Sequence, residues 1–152
     1  MATAQSDAPT DERLHVGQLL VHLTRRFQTE LFHRLNAAGL TDARLSHTHV
    51  TAYIKAEGSR LTALAAQARM TRPAMAEIVD DLQRLGIVDR RPDPSDRRAK
   101  LITLTDEGWK AMRTAQAIIA QLEVEYAAIV GRERFEAMCQ AMQELIAAHP
   151  AH

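Results

Sequence analysis

The sequence predicts a mostly α-helical fold with one small β-hairpin, and three observations carry that prediction. Apolar residues recur at three- and four-residue spacing over most of the chain, as amphipathic helices require. Two short strand-like runs, IVDRR at residues 87–91 and KLITL at residues 100–104, flank a turn-rich PDPSD stretch and read as a hairpin. Just before them, LTALAAQARMTRPAMAEIVDDLQRLG holds two closely spaced short helices. A helix pair followed by a basic hairpin is the outline of a winged helix-turn-helix. Such a module sets its second helix in the major groove of DNA and leaves the hairpin to reach the backbone or minor groove.

Each element follows from local chemistry. Residues 1–10 are small, polar and aperiodic, which predicts a loose tail. Over residues 11–38, Val16, Leu20, Leu23, Phe27, Leu31 and Leu35 fall on one stripe and Gly39 supplies the stop. At roughly 25 residues, or about 38 Å, this helix is long enough to pack beyond its own lobe. A second helix is expected over residues 46–57, with Ser46 as N-cap, Leu45 and Val50 as a hydrophobic staple, and Gly58 as its end. Thr62 opens the first helix of the pair, with Leu64 and Ala65 inward. Thr71 is placed to cap the second, and Pro73 costs nothing in its first turn. Met75, Ile78, Val79, Leu82 and Leu85 then recur at helical spacing up to Gly86. Beyond the hairpin, Thr105 caps another long helix, with Asp106 and Glu107 at its positive end. Its stripe runs through Trp109, Met112, Gln116, Ile119, Glu123, Tyr126 and Val130 to Gly131. A last helix carries Phe135, Met138, Cys139, Met142, Leu145 and Ile146. Residues 11–148 thus read as one domain: a DNA-binding lobe at about 45–104 between dimerisation helices at about 11–38 and 105–148. A two-fold dimer would set its reading helices about 34 Å apart, one turn of DNA.

Composition narrows the function classes. Of 152 residues, 46% are hydrophobic and 25% charged, enough for a packed interior and usual for a soluble protein. No apolar run approaches the roughly 18 residues of a membrane span, and MATAQSDAPTDER lacks the order of a secretory signal. A single cysteine excludes an intrachain disulfide framework. The expectation is a cytoplasmic protein with no membrane contact. Net charge is zero, yet residues 60–100 hold nine Lys/Arg against six Asp/Glu, while residues 101–152 hold four against seven. Positive charge therefore collects on the segment expected to meet phosphate. Seven histidines do not make a metal site: His47 and His49 face different sides of a helix, and His15 and His22 lie about 10 Å apart along one. No metal, no cofactor and no catalytic site are expected, since neither a nucleophile–base pair nor a phosphate loop is visible.

The run from Asp96 to Thr105, DRRAKLITLT, resembles the wing signature of MarR-family transcriptional regulators: D-x-R, five residues, then L-T. The TALAAQARMTRPAMAEIVDDLQRLGIV segment has that family's helix-turn-helix spacing, and the resemblance covers about residues 12–148. It implies a homodimer on a pseudo-palindromic operator, repressing nearby genes until a small molecule or oxidant weakens binding. Asp96 and Arg98 take the wing positions; the arginine would enter the minor groove, whose negative potential attracts a guanidinium, and the aspartate would pair with an arginine. Arg97, at the same tip, is placed to exchange roles with Arg98. The resemblance also implies that effectors bind where the dimer helices meet the DNA-reading lobe. There His22, His49 and Tyr53 are the polar candidates for a small aromatic or phenolic effector, against a plain reading as solvent-facing histidines and a core tyrosine. Cys139 reads as a packing residue. Two departures stand out: Arg69 in the turn where a glycine is common, and acid along the reading helix at Glu77, Asp80 and Asp81.

Thr71, Arg72, Pro73 and Ala74 would lie nearest the base edges. Arg72 suits guanine O6 and N7, or a phosphate. Glu77 reads either as a surface acid paired with Arg72 or Arg84, or as an acceptor from a cytosine N4 amine. Arg90, Arg91 and Lys100 are expected phosphate anchors. The alternative function is a winged-helix module for protein contact that has lost DNA binding, motivated by the acidic reading helix and zero net charge.

Overall fold

The computed structural model describes residues 14–148, apart from the side chains of His49 and Arg97. The expected tail at residues 1–10, and residues 11–13 of the expected first helix, lie outside the described residues. The order is α1 (Val16–Ala37), α2 (Leu45–Thr51), β1 (Ser59–Arg60), α3 (Leu61–Gln67), α4 (Arg72–Arg84), β2 (Val88–Asp93), β3 (Asp96–Leu104), α5 (Asp106–Val130) and α6 (Arg132–Ala148). No helix among the described residues is long and apolar enough to cross a membrane.

The lobe built from α2, α3, α4 and the strands has its own core. Val50 of α2, Leu64 of α3, Met75, Val79 and Leu82 of α4, and Ile102 of β3 are almost wholly buried together. Trp109 and Met112 of α5 pack against this cluster, so the long helix and the lobe share one interior. The three antiparallel strands lie in the order β1-β3-β2. A second, smaller core forms where α1 meets α5, around Leu31, Leu35 and Leu122. Phe27 and Tyr126 meet edge to face there, with ring centroids 6.2 Å apart. Arg34 clasps the crossing, donating to both carboxylate oxygens of Glu125 at 2.9 and 2.7 Å and to Glu30 at 2.7 Å. Arg34, with help from Gln121, holds the Glu125 carboxyl below its ordinary pKa.

Three expectations are corrected. First, α2 begins at Leu45 with Arg44 as N-cap and ends at Thr51, where residues 46–57 were expected. Thr48 and Thr51 turn their hydroxyls back onto the carbonyls of Leu45 and His47, at 2.8 and 2.9 Å, which competes with continued helix. The amides of Tyr53 and Ile54 then make tight three-residue bonds to Val50 and Thr51, closing the helix. Second, Gly58 leads into a strand instead of stopping a helix. Its φ is +97°, and a Cβ there would sit 2.9 Å from Thr103 Cγ2 and 3.0 Å from Leu101 Cβ. The strand it opens, β1, pairs Ser59 with Ile102 and Arg60 with Leu101; two residues are too few to show alternation. Third, the hairpin is longer than expected, because Pro92 and Asp93 belong to β2 and residues 96–99 to β3. Pro92 is tolerated because β2 is an edge strand.

The expected caps are present. Thr71 Oγ1 accepts from the Ala74 amide at 3.3 Å and Thr105 Oγ1 from the Gly108 amide at 3.0 Å. Arg69 occupies the turn between α3 and α4 with φ +53°, a left-handed conformation that costs a non-glycine residue about 1 kcal/mol. The junction of lobe and α5 is tighter still. The Ile87 carbonyl accepts from the Thr105 amide at 3.0 Å, and Thr105 Oγ1 donates to the Gly86 carbonyl at 2.6 Å. Gly108 lies against that same Ile87 carbonyl, and a Cβ would collide with it while standing 3.2 Å from Leu104 Cδ2. Gly108→Ala is therefore expected to destabilise the fold by about 3 kcal/mol through overpacking. Urea unfolding at one fixed protein concentration measures the loss; a midpoint unchanged from the parent would contradict the packing described.

Candidate nucleic-acid interface and adjoining cavity

The capped start of α4 leaves Arg72 and Pro73 exposed and Ala74 half-buried. Arg72 has no hydrogen bond or ion pair among the described residues, so its guanidinium is open to a ligand. The acid on α4 is mostly neutralised locally. Asp80 and Gln83 both accept from Arg90 of β2, each at 2.6 Å. Asp81 pairs with Arg84 and, at 3.0 Å, with Arg44. Glu77 is exposed and makes no ion pair among the described residues; Arg84, one of its two expected partners, is taken by Asp81. Arg90 is thus spent on holding the hairpin to α4, whereas it was expected at phosphate. Arg91, Arg98 and Lys100 are exposed and unpaired among the described residues. Arg97 has a described backbone within β3 and an undescribed side chain.

The hairpin tip is latched by a residue that sequence reasoning passed over. Asp93 is only 5% exposed. Its Oδ1 accepts from the Ser95 amide at 2.8 Å and the Ser95 hydroxyl at 2.7 Å, and its Oδ2 from Arg60 Nε at 2.8 Å. Hydrogen bonds from Ser95, then from Arg60, hold the Asp93 carboxyl well down, at about 2. The arginine pairing expected of Asp96 is made chiefly by Asp93: Arg60 stands 2.6 Å from Asp93 and 4.0 Å from Asp96. Asp96 instead accepts from the Arg98 amide at 3.0 Å, which braces the backbone that carries Arg98. A signal for Asp93 existed, since aspartate two residues before serine is a turn-forming pair, but its burial depends on β1, which had no visible pattern.

Behind α4 lies a cavity of about 200 Å³ between the C-terminal end of α1, α2, α4 and the start of α5. Leu35, Leu40, Leu82, Leu85 and Met112 supply its apolar wall. His47 lines it too, only 5% exposed, with Nε2 3.3 Å from Asp81 Oδ2. Burial pushes the Asp81 carboxyl up, but the hydrogen bond from His47 and the charges of Arg44 and Arg84 outweigh it and leave a lowered pKa. Of the expected effector residues, His22 and Tyr53 are exposed and neither lines this cavity; the His49 side chain lies outside the described residues. In the sequence, His47 stands out only as one of seven histidines weighed against a metal site. Its neighbours in the cavity come from four separate segments, so spacing along the chain carried no signal.

Residues 34–99 match the model of the MarR family. CouR from Rhodococcus jostii RHA1, solved bound to p-coumaroyl-CoA, is 27% identical, with 97% of this chain and 99% of that one covered and a TM-score of 0.69. A MarR-family transcriptional regulator from Rhodococcus sp. RHA1 is 26% identical over 96% of this chain and 99% of its own, also with a TM-score of 0.69. MepR of S. aureus, solved as a DNA complex, shares the fold at a TM-score of 0.73 and 19% identity, covering 90% of this chain and 99% of that one.

The latch predicts a titration. A carboxyl depressed to about 2, against an unfolded value of about 3.9, contributes its stability in full above about pH 4 and loses it as pH falls toward 2. In carboxyl-carbon NMR titrations, the Asp93 midpoint should lie near 2 and move upward in Ser95→Ala. A midpoint near 4 in the parent would refute the latch.

Proposed function

We propose that this chain is a homodimeric repressor that reads a pseudo-palindromic operator; the match of residues 34–99 to the MarR-family model, and a fold shared along nearly the whole chain with CouR and a MarR-family regulator of Rhodococcus sp. RHA1, support that reading. The observation that carries the reading is the pair of open guanidiniums on one rigid lobe. Arg72 stands at the capped start of α4, and Arg98 is presented from β3 by the Asp96 brace. With Thr71, Pro73 and Ala74, Arg72 would meet base edges in the major groove, while Arg98, with Arg97 beside it, would enter the minor groove. Arg91 and Lys100 would hold phosphates, and Glu77 is free to accept from a cytosine N4 amine. Arg90 would serve the backbone only by sharing its guanidinium with Asp80.

Pairing of two copies is supported by apolar surface at both ends of the chain. Val16 is 71% exposed and Ile146 73%, with Leu19, Leu20, Val21 and Leu145 also open. Single exposed apolar residues are ordinary, whereas contiguous patches mark interfaces. On this reading the domain spans residues 11–148, with α1, α5 and α6 forming the dimer and the lobe at about 45–104 reading DNA. The cavity behind α4 is the effector site. Its occupation would favour a spacing of the two lobes that misses successive major grooves. A ligand-bound neighbour and a DNA-bound neighbour of the same fold support both halves of the proposal.

Fluorescence anisotropy on the duplex upstream of its own gene tests the function. Affinity should fall on the order of 10³-fold between 50 and 200 mM salt, as counterions are displaced from several phosphates. Arg98→Ala should weaken binding by more than about tenfold at either salt, the loss of one specific groove contact. A salt-independent affinity, or an unchanged one in Arg98→Ala, would reject DNA reading by this wing and favour a protein-contact module. Sedimentation at micromolar concentration should show a dimer; a lone subunit would reject the spacing mechanism.

A further inference from the structure

Arg98 is carried by a stretch of β3 that has no paired residue across from it. The β2–β3 register passes from Pro92 opposite Lys100 directly to Asp93 opposite Asp96, so residues 97–99 bulge between two paired positions. On the other side of β3, β1 reaches only Leu101 and Ile102. The hairpin beyond Leu101 therefore projects as a cantilever, and two side-chain tethers hold it. One is Asp93 on Arg60, at the tip. The other is Arg90, which lies opposite Ile102 and donates through Nη1 to Gln83 and through Nη2 to Asp80, each at 2.6 Å. Asp80 and Gln83 stand three residues apart on α4, neighbours on one helix face. Two acceptors met by two nitrogens of one planar group suit a guanidinium fork, a geometry that the point charge of a lysine lacks.

Resting on the reading of this lobe as a DNA reader, we propose that Arg90, Asp80 and Gln83 are positioning residues for the wing: they hold Arg98 where it meets its groove and make no contact with the duplex themselves. A side chain already in place binds without the entropy cost of ordering the segment that carries it. The assignment reverses the sign expected of Asp80. As bare charge on α4 it repels phosphate, and its removal would tighten binding. As one jaw of the clasp, its removal loosens the wing and weakens binding. The Asp80 side chain is 59% exposed, so replacing it leaves the core of the lobe untouched.

Fluorescence anisotropy of the full chain tests this on two probes: the duplex upstream of its own gene and a scrambled duplex of equal length and composition. Asp80→Ala combined with Gln83→Leu should weaken binding to the upstream duplex about fivefold, although a negative charge has gone, and leave the scrambled duplex bound as tightly or more so. In that background Arg98→Ala should cost less than about threefold, against more than about tenfold in the parent, because residues that act through one another are not additive. Arg72→Ala, on α4 itself, should cost the same in both backgrounds, which reports an intact reading helix. Arg90→Lys keeps the charge that a phosphate anchor needs and loses the fork, so it should weaken binding as the α4 pair does. Unchanged or tighter binding of the upstream duplex by the α4 pair, an Arg98→Ala cost equal in the two backgrounds, or parental affinity in Arg90→Lys overturns the inference and leaves DNA reading by the lobe standing. A parent that does not prefer the upstream duplex, or binds it without salt dependence, removes the operator reading and this inference together.

Discussion

The close approach of α5 to the Ile87 carbonyl is the constraint on which the rest of the molecule depends. Ile87 sits between α4 and the hairpin, and its carbonyl is bonded by Thr105 and covered by Gly108. One carbonyl thereby sets where the long helix leaves the lobe. From there, Trp109 and Met112 extend the lobe's core and Leu122 reaches the crossing with α1. The direction of α5 is thus dictated at its first turn. Because α5 joins the lobe to the helices that carry exposed apolar surface, the same contact determines how two lobes would stand when those surfaces meet.

Much of this was legible in the chain. Thr71, Thr105, Gly86 and Gly131 punctuate helices through chemistry that acts over three or four residues, and they lie where capping and left-handed glycine would put them. Arg69 was conspicuous as a side chain in a turn that favours glycine, and it adopts a positive φ. The stretches that misled did so because their structure is decided at a distance. The chain after Thr51 leaves the helix to deliver Ser59 and Arg60 to β3, forty residues onward in sequence, and nothing near Gly58 announces a strand. Asp93 resembled a turn residue, which it is, but its burial requires Arg60 from that same strand.

The site was legible to a different degree. Exposed basic residues near a wing motif can be named from the sequence, since exposure is the default for charge. Which of them is already engaged is a tertiary fact. Arg90 and Arg91 are adjacent and chemically identical, yet alternation along β2 turns only Arg90 toward Asp80 and Gln83. The acid on α4, which argued against a DNA surface when read as bare charge, is for the most part the counterpart of Arg44, Arg84, Arg90 and His47. Charge counted along a chain overstates what a partner meets whenever the fold pairs it internally.

The clasp of Arg90 on α4 has a mechanical outcome. It joins the hairpin to the helix at mid-strand, while the Asp93 latch braces the tip, so α4 and the hairpin form a caliper of fixed opening. A rigid gauge of this kind cannot stretch to meet a poorly spaced target. If the lobe reads a duplex as proposed, any mismatch between the groove edges it spans would have to be absorbed by bending or twisting the duplex itself, so sequences that deform easily at that interval would be favoured even where no side chain touches them.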